Sequence, residues 1–181
     1  MKKNIVLRMT VLLLSSALTM PLFISAQDSK ASKLIADSKN AKASFIRSDG
    51  MMQSLFNSSI AYVIFPNIGK GAIGVGGAAG NGIVFQGGKP IGSAKMKQVT
   101  VGFQFGGQAY REVIFFENET ALDRFKQNNF EFSAQASAVA VTKGASGNVK
   151  YRDGVMIFTQ EKKGLMYEAS IGGQKFNYTP F

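Results

Sequence analysis

Three residue types that carry much of protein chemistry are missing from this sequence. The 181 residues contain no Cys, no His and no Trp. Without Cys there are no disulfides, thiolate metal sites or Cys nucleophiles. Without His, the commonest general base and the commonest transition-metal ligand are also absent. These absences argue against most hydrolase mechanisms and against a zinc site.

Acidic residues are scarce, and one long region has none. No Asp or Glu occurs from Gly50 to Arg111, where five basic residues stand. The whole chain has 21 basic and 11 acidic residues, a formal net charge of +10. A region of one sign attracts anionic partners such as lipid headgroups, lipopolysaccharide or nucleic acid. The alternative is that the charge only keeps the protein soluble.

Residues 1–26 have the three parts of a secretory signal, namely a basic start, an apolar stretch and small residues before a cleavage site. We predict cleavage between Ala26 and Gln27. An uncleaved membrane anchor is the disfavoured alternative, because four residues interrupt the apolar run: Ser15, Ser16, Thr19 and Pro21. The protein is therefore expected to be exported, to a periplasmic or extracellular location. Export disfavours nucleic acid as a partner.

The remaining residues, 27–181, are enough for one domain with a proper core. No nucleophile motif is found in them, and their carboxylates are scattered rather than paired. Gly69–Gly74 matches the dinucleotide-binding glycine pattern, but more glycines follow it and no acidic residue appears before Glu112. We therefore expect no enzymatic activity, no cofactor and no metal.

An amphipathic helix is predicted from Ser29 to Asp49. Its apolar stripe recurs at helical spacing and consists of Leu34, Ile35, Ser38, Ala41, Phe45 and Ile46. Basic residues occupy its other faces. Such a helix either lies on a membrane surface or packs on its own domain, and the modest, alanine-rich stripe favours packing.

Strands are predicted through most of the remaining sequence. Ile60 to Phe65 forms a strand that Pro66 ends, and the ten glycines of Gly69–Gly92 indicate tightly apposed strands with bulges. Further strands are expected over these ranges: Val99–Gly106, Glu112–Phe116, Phe132–Val141, Val155–Thr159, Leu165–Ile171 and Phe176–Tyr178. Asn118 caps a short helix that ends at Phe125. These elements predict an α+β domain, built on an antiparallel sheet or barrel-like sandwich of about seven strands with one or two short helices.

Several long motifs, in order and at matching spacing, resemble the bacterial, exported branch of the SYLF lipid-binding domain family. They are Ala61–Gly71, Gly74–Gly82, Gly102–Gln108, Phe132–Ala140, Asp153–Val155 and Gly164–Phe176. The resemblance covers about Ser29 to Phe181 and identifies 27–181 as a single SYLF-like domain. Eukaryotic relatives are associated with phosphoinositide membranes and actin, which an exported protein does not ordinarily meet.

The resemblance implies that an anionic phospholipid or another envelope lipid binds the N-terminal helix and nearby basic residues. The lipid-binding residues so implied are Lys30, Lys33, Lys39, Lys42, Arg47 and Lys70. Two alternatives remain open. One is a periplasmic structural or protein-interaction domain that does not bind lipid. The other is a carrier that holds a fatty chain inside a barrel.

Overall fold

The structure, a computed structural model, describes residues 21–73, 75–101, 108–128, 130–132, 137–162 and 168–181. The chain divides into two compact units, residues 1–33 and 34–181. In the first unit, residues 21–33 are described and are helical. Most of the predicted export segment, residues 1–20, lies outside the described residues.

The described residues contain three α-helices, one short 3-10 helix and eight strands. The helices are α1 (Pro21–Ser48), α2 (Met52–Ser58) and α3 (Glu119–Lys126), and the 3-10 helix is Ala145–Asn148. The strands are β1 (Ala61–Ile73), β2 (Val75–Gln86), β3 (Lys89–Val101), β4 (Gln108–Phe116), β5 (Ser137–Ala140), β6 (Val155–Glu161), β7 (Glu168–Ser170) and β8 (Gln174–Pro180). The predicted α+β class and the long first helix are confirmed.

The eight strands form one sheet in the order β7-β5-β6-β4-β1-β2-β3-β8. Every neighbouring pair is antiparallel except β5 and β6, which run parallel. Among the described residues, the sheet is open and does not close into a barrel. In the described part of the chain, no helix is long and apolar enough to span a membrane.

A short stretch of chain connects the two ends of this sheet. The backbone of Phe132 exchanges hydrogen bonds with Gly173 and Gln174 beside β8, whereas Ser137 begins β5 near the opposite end. Five residue steps separate Phe132 from Ser137, so their Cα atoms lie at most about 18 Å apart. The sheet must therefore curl strongly about its strand direction.

Each face of the curled sheet has its own hydrophobic core. The face that we call inner packs on α3 through Leu122 and Phe125, with Phe65, Phe116 and Phe176 among its buried side chains. The opposite face, called outer, packs on α1 and α2. Its core includes Phe45, Phe56, Tyr62, Ile83 and Phe115. The result is a sheet between two helical layers.

Residues 34–48 of α1 bury the apolar stripe that the sequence predicts. Ser38, Ala41 and Phe45 are buried, and Leu34, Ile35 and Ile46 pack partly against the outer core. The expectation that this helix packs on its own domain is confirmed for residues 34–48. The apolar face of residues 34–48 is therefore occupied, and the charged faces of this segment remain open to a partner.

The prediction that Pro66 ends the first strand is wrong. β1 continues to Ile73. Its register shifts around Pro66: between Ile64 and Asn67 in the pairing with β2, and between Phe65 and Ile68 in the pairing with β4. Proline has no backbone N–H to donate, and a bulge leaves one residue unpaired at little cost. The strand bends at this point and then resumes.

The glycine-rich region forms the predicted close strand pairs, β1 with β2 and β2 with β3. At Gly82 the approach is so tight that a Cβ atom would lie 2.6 Å from the Ile64 carbonyl oxygen. Asn118 caps α3 as predicted, because its Oδ1 accepts a hydrogen bond from the Ala121 N–H at 3.0 Å. Three predicted strands fall partly outside the described residues, at 102–107, 133–136 and 163–167.

Candidate functional site

The outer face of the sheet extends beyond the area that α1 and α2 cover. In β2, Ile83 and Phe85 pack beneath the helices, and strand alternation places Asn81 and Ala79 on the same face. Both residues are exposed. Their register partners on β3 are Lys95 and Lys97, which are exposed as well. The uncovered part of the outer face thus lies over β1, β2, β3 and β8.

Register arranges this uncovered surface in rows that cross the strands. The first row is polar and consists of Asn67, Asn81, Lys95 and Asn177. The second row consists of Gly69, Ala79, Lys97 and Lys175. Further toward the end of β1, Gly71, Gly77 and Val99 form a third row without charge. The surface therefore changes from polar through basic to uncharged along the strands.

Three lysines of these rows form what we call the basic face: Lys95, Lys97 and Lys175. Lys97 and Lys175 stand directly opposite each other on β3 and β8, and together the three lysines line a shallow depression with Phe176 and Asn177. Like charges at directly opposed positions destabilise a sheet. Glu131 partly offsets this repulsion through an ion pair with Lys175 at 3.4 Å.

A second group of basic side chains lies where α1 meets the outer face. Burial and the nearby charge of Arg47 lower the pKa of Arg111. Burial and the charge of Arg111 likewise lower the pKa of Lys162, with Asp37 opposing the change. The Lys162 ammonium donates to Asn67 Oδ1 at 2.6 Å. This hydrogen bond connects the group to the first row of the uncovered surface.

The residues predicted to bind lipid occupy several different environments. Lys39 and Arg47 are exposed on α1. Lys42 is engaged by the domain itself: its ammonium donates to the Tyr62 hydroxyl at 3.1 Å and lies 4.7 Å from the centre of the Phe56 ring. Lys70 belongs to β1, opposite Ala78 and Gln108. Lys30 and Lys33 are exposed on the first unit.

The basic face is not among the sites predicted from the sequence. Lys95 and Lys97 lie in the acid-free region and are two positions apart, which is the spacing of one strand face. That spacing was the available signal, but the predicted strand began only at Val99. Lys175 lies in the half of the chain where charges balance, and only the pairing of β3 with β8 brings it to the others.

A buried polar cluster occupies the inner face. Gln174 donates through Nε2 to Glu112 Oε2 at 3.0 Å, and Thr159 stands opposite Glu112 in the register of β4 and β6. All three residues are fully buried. Within the part of the chain that the structure describes, Glu112 Oε1, Gln174 Oε1 and Thr159 Oγ1 have no hydrogen-bond partner.

Burial is the largest cause of the pKa shifts in this cluster. It raises the pKa of Glu112 to about 7, although the hydrogen bond from Gln174 acts in the opposite direction. Burial and the charge of Glu112 also raise the pKa of Tyr110. Among the described residues, no group of three or more Asp and Glu side chains is placed to hold a metal ion. The cluster can take up or release a proton near neutral pH.

The described residues thus define a curled, mostly antiparallel sheet between helices, with the basic face on the part of the sheet that α1 and α2 leave uncovered. A family model described as "Ysc84: Las17-binding protein actin regulator" matches residues 97–178, a range that begins at Lys97 and includes Lys175. The matched model is that of the Ysc84 (SYLF) domain, and it confirms the SYLF resemblance predicted from the sequence over residues 97–178.

A protein named "Beta cell expansion factor A", from Aeromonas veronii, is also similar to this chain. The two are 34% identical over 71 residues, which amount to 39% of this chain and 27% of that protein. The chain thus matches about a quarter of the length of this relative.

Proposed function

We propose that this protein is a non-enzymatic module that binds anionic lipid at a membrane surface of the cell envelope. The pairing of Lys97 with Lys175 carries the proposal. Two exposed lysines held opposite each other cost stability, and an anionic partner would turn that cost into binding energy. The SYLF family is consistent with either a lipid-binding or a protein-interaction module.

In this proposal the basic face provides the main contact, and the exposed charges of α1 contribute to it. Basic residues near an anionic membrane surface are worth about 1 kcal/mol each. The apolar stripe of α1 is buried in the outer core, so the helix would act through charges such as Lys39 and Arg47. Lys42 is better explained by its contacts with Tyr62 and Phe56.

The test is flotation with vesicles of neutral phosphatidylcholine alone or mixed with phosphatidylglycerol. The protein is expressed with its own export segment, purified after export, and its N-terminus is read by mass spectrometry. We expect binding to the anionic vesicles only, and weaker binding as salt rises. Lys97→Glu should weaken binding at least tenfold.

Lys143→Glu is the matched control, because it makes the same charge change at an exposed position outside the strands. Equal losses in Lys97→Glu and Lys143→Glu would show that net charge acts and that the basic face does not. Absence of binding to anionic vesicles at low salt would refute lipid binding.

A protein-interaction domain is the second candidate, and the family description, which names a protein-binding actin regulator, favours it. For an exported chain, the partner would be an envelope protein rather than actin. If vesicles fail, crosslinking in envelope extract should capture a partner, and Lys97→Glu should abolish the capture.

A further inference from the structure

Beyond the basic face, three strands of the sheet continue among the residues that the structure describes. β4 begins opposite Lys70, and the pairing of β8 with β3 begins at Gln98. In the described part of the chain, only β1, β2 and β3 pair past these points. We call Gly71–Ile73, Val75–Gly77 and Val99–Val101 the three-stranded tip. With three residues per strand, the tip is about 10 Å long.

The tip is uncharged and consists mainly of apolar and small residues. Its nine residues carry no charge, and Thr100 is the one polar residue among them. Val99 is 72% exposed, the largest exposed fraction among the large hydrophobic residues whose burial the structure describes. Register pairs Val75 with Val101 one row beyond Val99. An isolated exposed valine is ordinary, but this one lies in a segment without charge.

The spacing between the tip and the lysines matches the depth of a membrane interface. Lys97 lies two positions before Val99 on the same strand face, about 7 Å along β3. Lysine side chains extend their ammonium groups toward phosphates while their stems cover apolar surface. For comparison, the apolar faces of interfacial amphipathic helices enter about 5–10 Å into the boundary between headgroups and acyl chains.

Backbone pairing sets a limit on that depth. β2, the middle strand of the tip, is paired on both sides, by β1 and by β3. The outer edges of β1 and β3 have no strand partner along the tip in the described residues. Unpaired backbone groups are costly in the hydrocarbon core. Shallow entry keeps these edges in the hydrated headgroup region.

We propose that the three-stranded tip enters the headgroup–acyl boundary of an anionic membrane while Lys97 and Lys175 bind lipid phosphates behind it. This inference rests on the proposed lipid-binding function and adds an orientation and a depth to it. β1, β2 and β3 then point into the membrane, and residues 34–48 of α1 lie farther from the bilayer than Val99.

The missing tryptophan makes a direct test possible, since any introduced Trp is a unique fluorophore. Val99→Trp places the probe on the tip. Met51→Trp is the matched control, at a residue that is 52% exposed between α1 and α2. Each protein is mixed with phosphatidylcholine–phosphatidylglycerol vesicles whose lipids carry bromine at shallow or deep acyl positions.

We expect a blue shift of the Val99→Trp emission and stronger quenching by shallow than by deep bromines. Met51→Trp should show neither change while its vesicle binding is intact. Val99→Asp should weaken binding about tenfold, with an unchanged circular dichroism spectrum.

The outcomes separate the two proposals. If both Trp variants float with the vesicles and Val99→Trp emission is unchanged, the tip does not enter the membrane, although lipid binding stands. Quenching of Met51→Trp alone would reverse the proposed orientation. If neither variant floats with anionic vesicles, both proposals fail.

Discussion

The carboxylate of Asp49 accepts two hydrogen bonds from Ser146, which lies 97 positions further along the chain. The Ser146 N–H donates at 2.9 Å and its hydroxyl at 2.7 Å, both to Oδ2. The Met51 N–H donates to Oδ1 at 3.0 Å. These contacts tie the end of α1 to the 3-10 helix. Burial alone would raise the pKa of Asp49, but hydrogen bonds from Ser146, Met51 and Gly144 outweigh it and lower the pKa.

Asp49→Ala should destabilise the fold by about 1–3 kcal/mol, because it leaves buried donors without an acceptor. Ser146→Ala removes only the hydroxyl and should cost about 1 kcal/mol. Urea unfolding at pH 7 measures both changes. Since the folded pKa of Asp49 is depressed, its contribution is complete above the ordinary Asp value and is lost as pH falls through the folded value. An Asp49→Ala protein as stable as wild type at pH 7 would contradict this account.

Glu112→Gln should stabilise the protein at pH 8 and change it little at pH 4. The folded pKa of about 7 exceeds the ordinary value of 4.5, so the folded state binds this proton more tightly. Wild-type stability therefore falls as pH rises from 4.5 to 7 and is level above. The full difference is about 3 kcal/mol.

Thermal unfolding at pH 4, 6 and 8 tests the Glu112 prediction. Glu117→Gln, at an exposed position, is the control and should parallel wild type. If the wild-type and Glu112→Gln curves keep a constant separation over this range, Glu112 does not titrate as proposed.

Lys97→Thr should stabilise the fold more than Lys95→Thr does, by about 0.2–1 kcal/mol. Both changes replace an exposed β3 lysine, so they share the higher strand propensity of threonine. Only Lys97 faces another lysine, whereas Lys95 faces Asn177. Relief of the like-charge pair therefore appears as the difference between the two variants.

Denaturant unfolding at low salt gives the largest difference between the two threonine variants, and added salt should reduce it. The same Lys97→Thr protein should bind anionic vesicles more weakly than wild type. If Lys97→Thr and Lys95→Thr are equally stable at low salt, the pair carries no repulsion and the main support for the proposed function is lost.

Local patterns predicted the helices well because their causes are local. The stripe of α1 and the Asn118 cap of α3 are encoded within a few residues. The continuation of β1 through Pro66 was missed, because the bulge depends on partners in β2 and β4. The sequence predicts Glu112 in a strand, but nothing nearby in the sequence indicates that Gln174 is buried beside it.

The basic face shows the same limit more sharply. Lys97 and Lys175 are 78 positions apart, and only the register of β3 with β8 makes them neighbours. A pattern confined to one segment cannot reveal such a pair.

The position of β8 also has a kinetic consequence. It is the last strand of the chain, yet it pairs with β3 from the first half. Pairings between distant segments form slowly, because a long loop must close before they gain any contact. A chain that has not finished folding therefore presents Lys95 and Lys97 without Lys175. Pairing of β8 with β3 completes the lysine group. Binding by all three lysines would therefore require the fully folded protein, and folding intermediates would lack it.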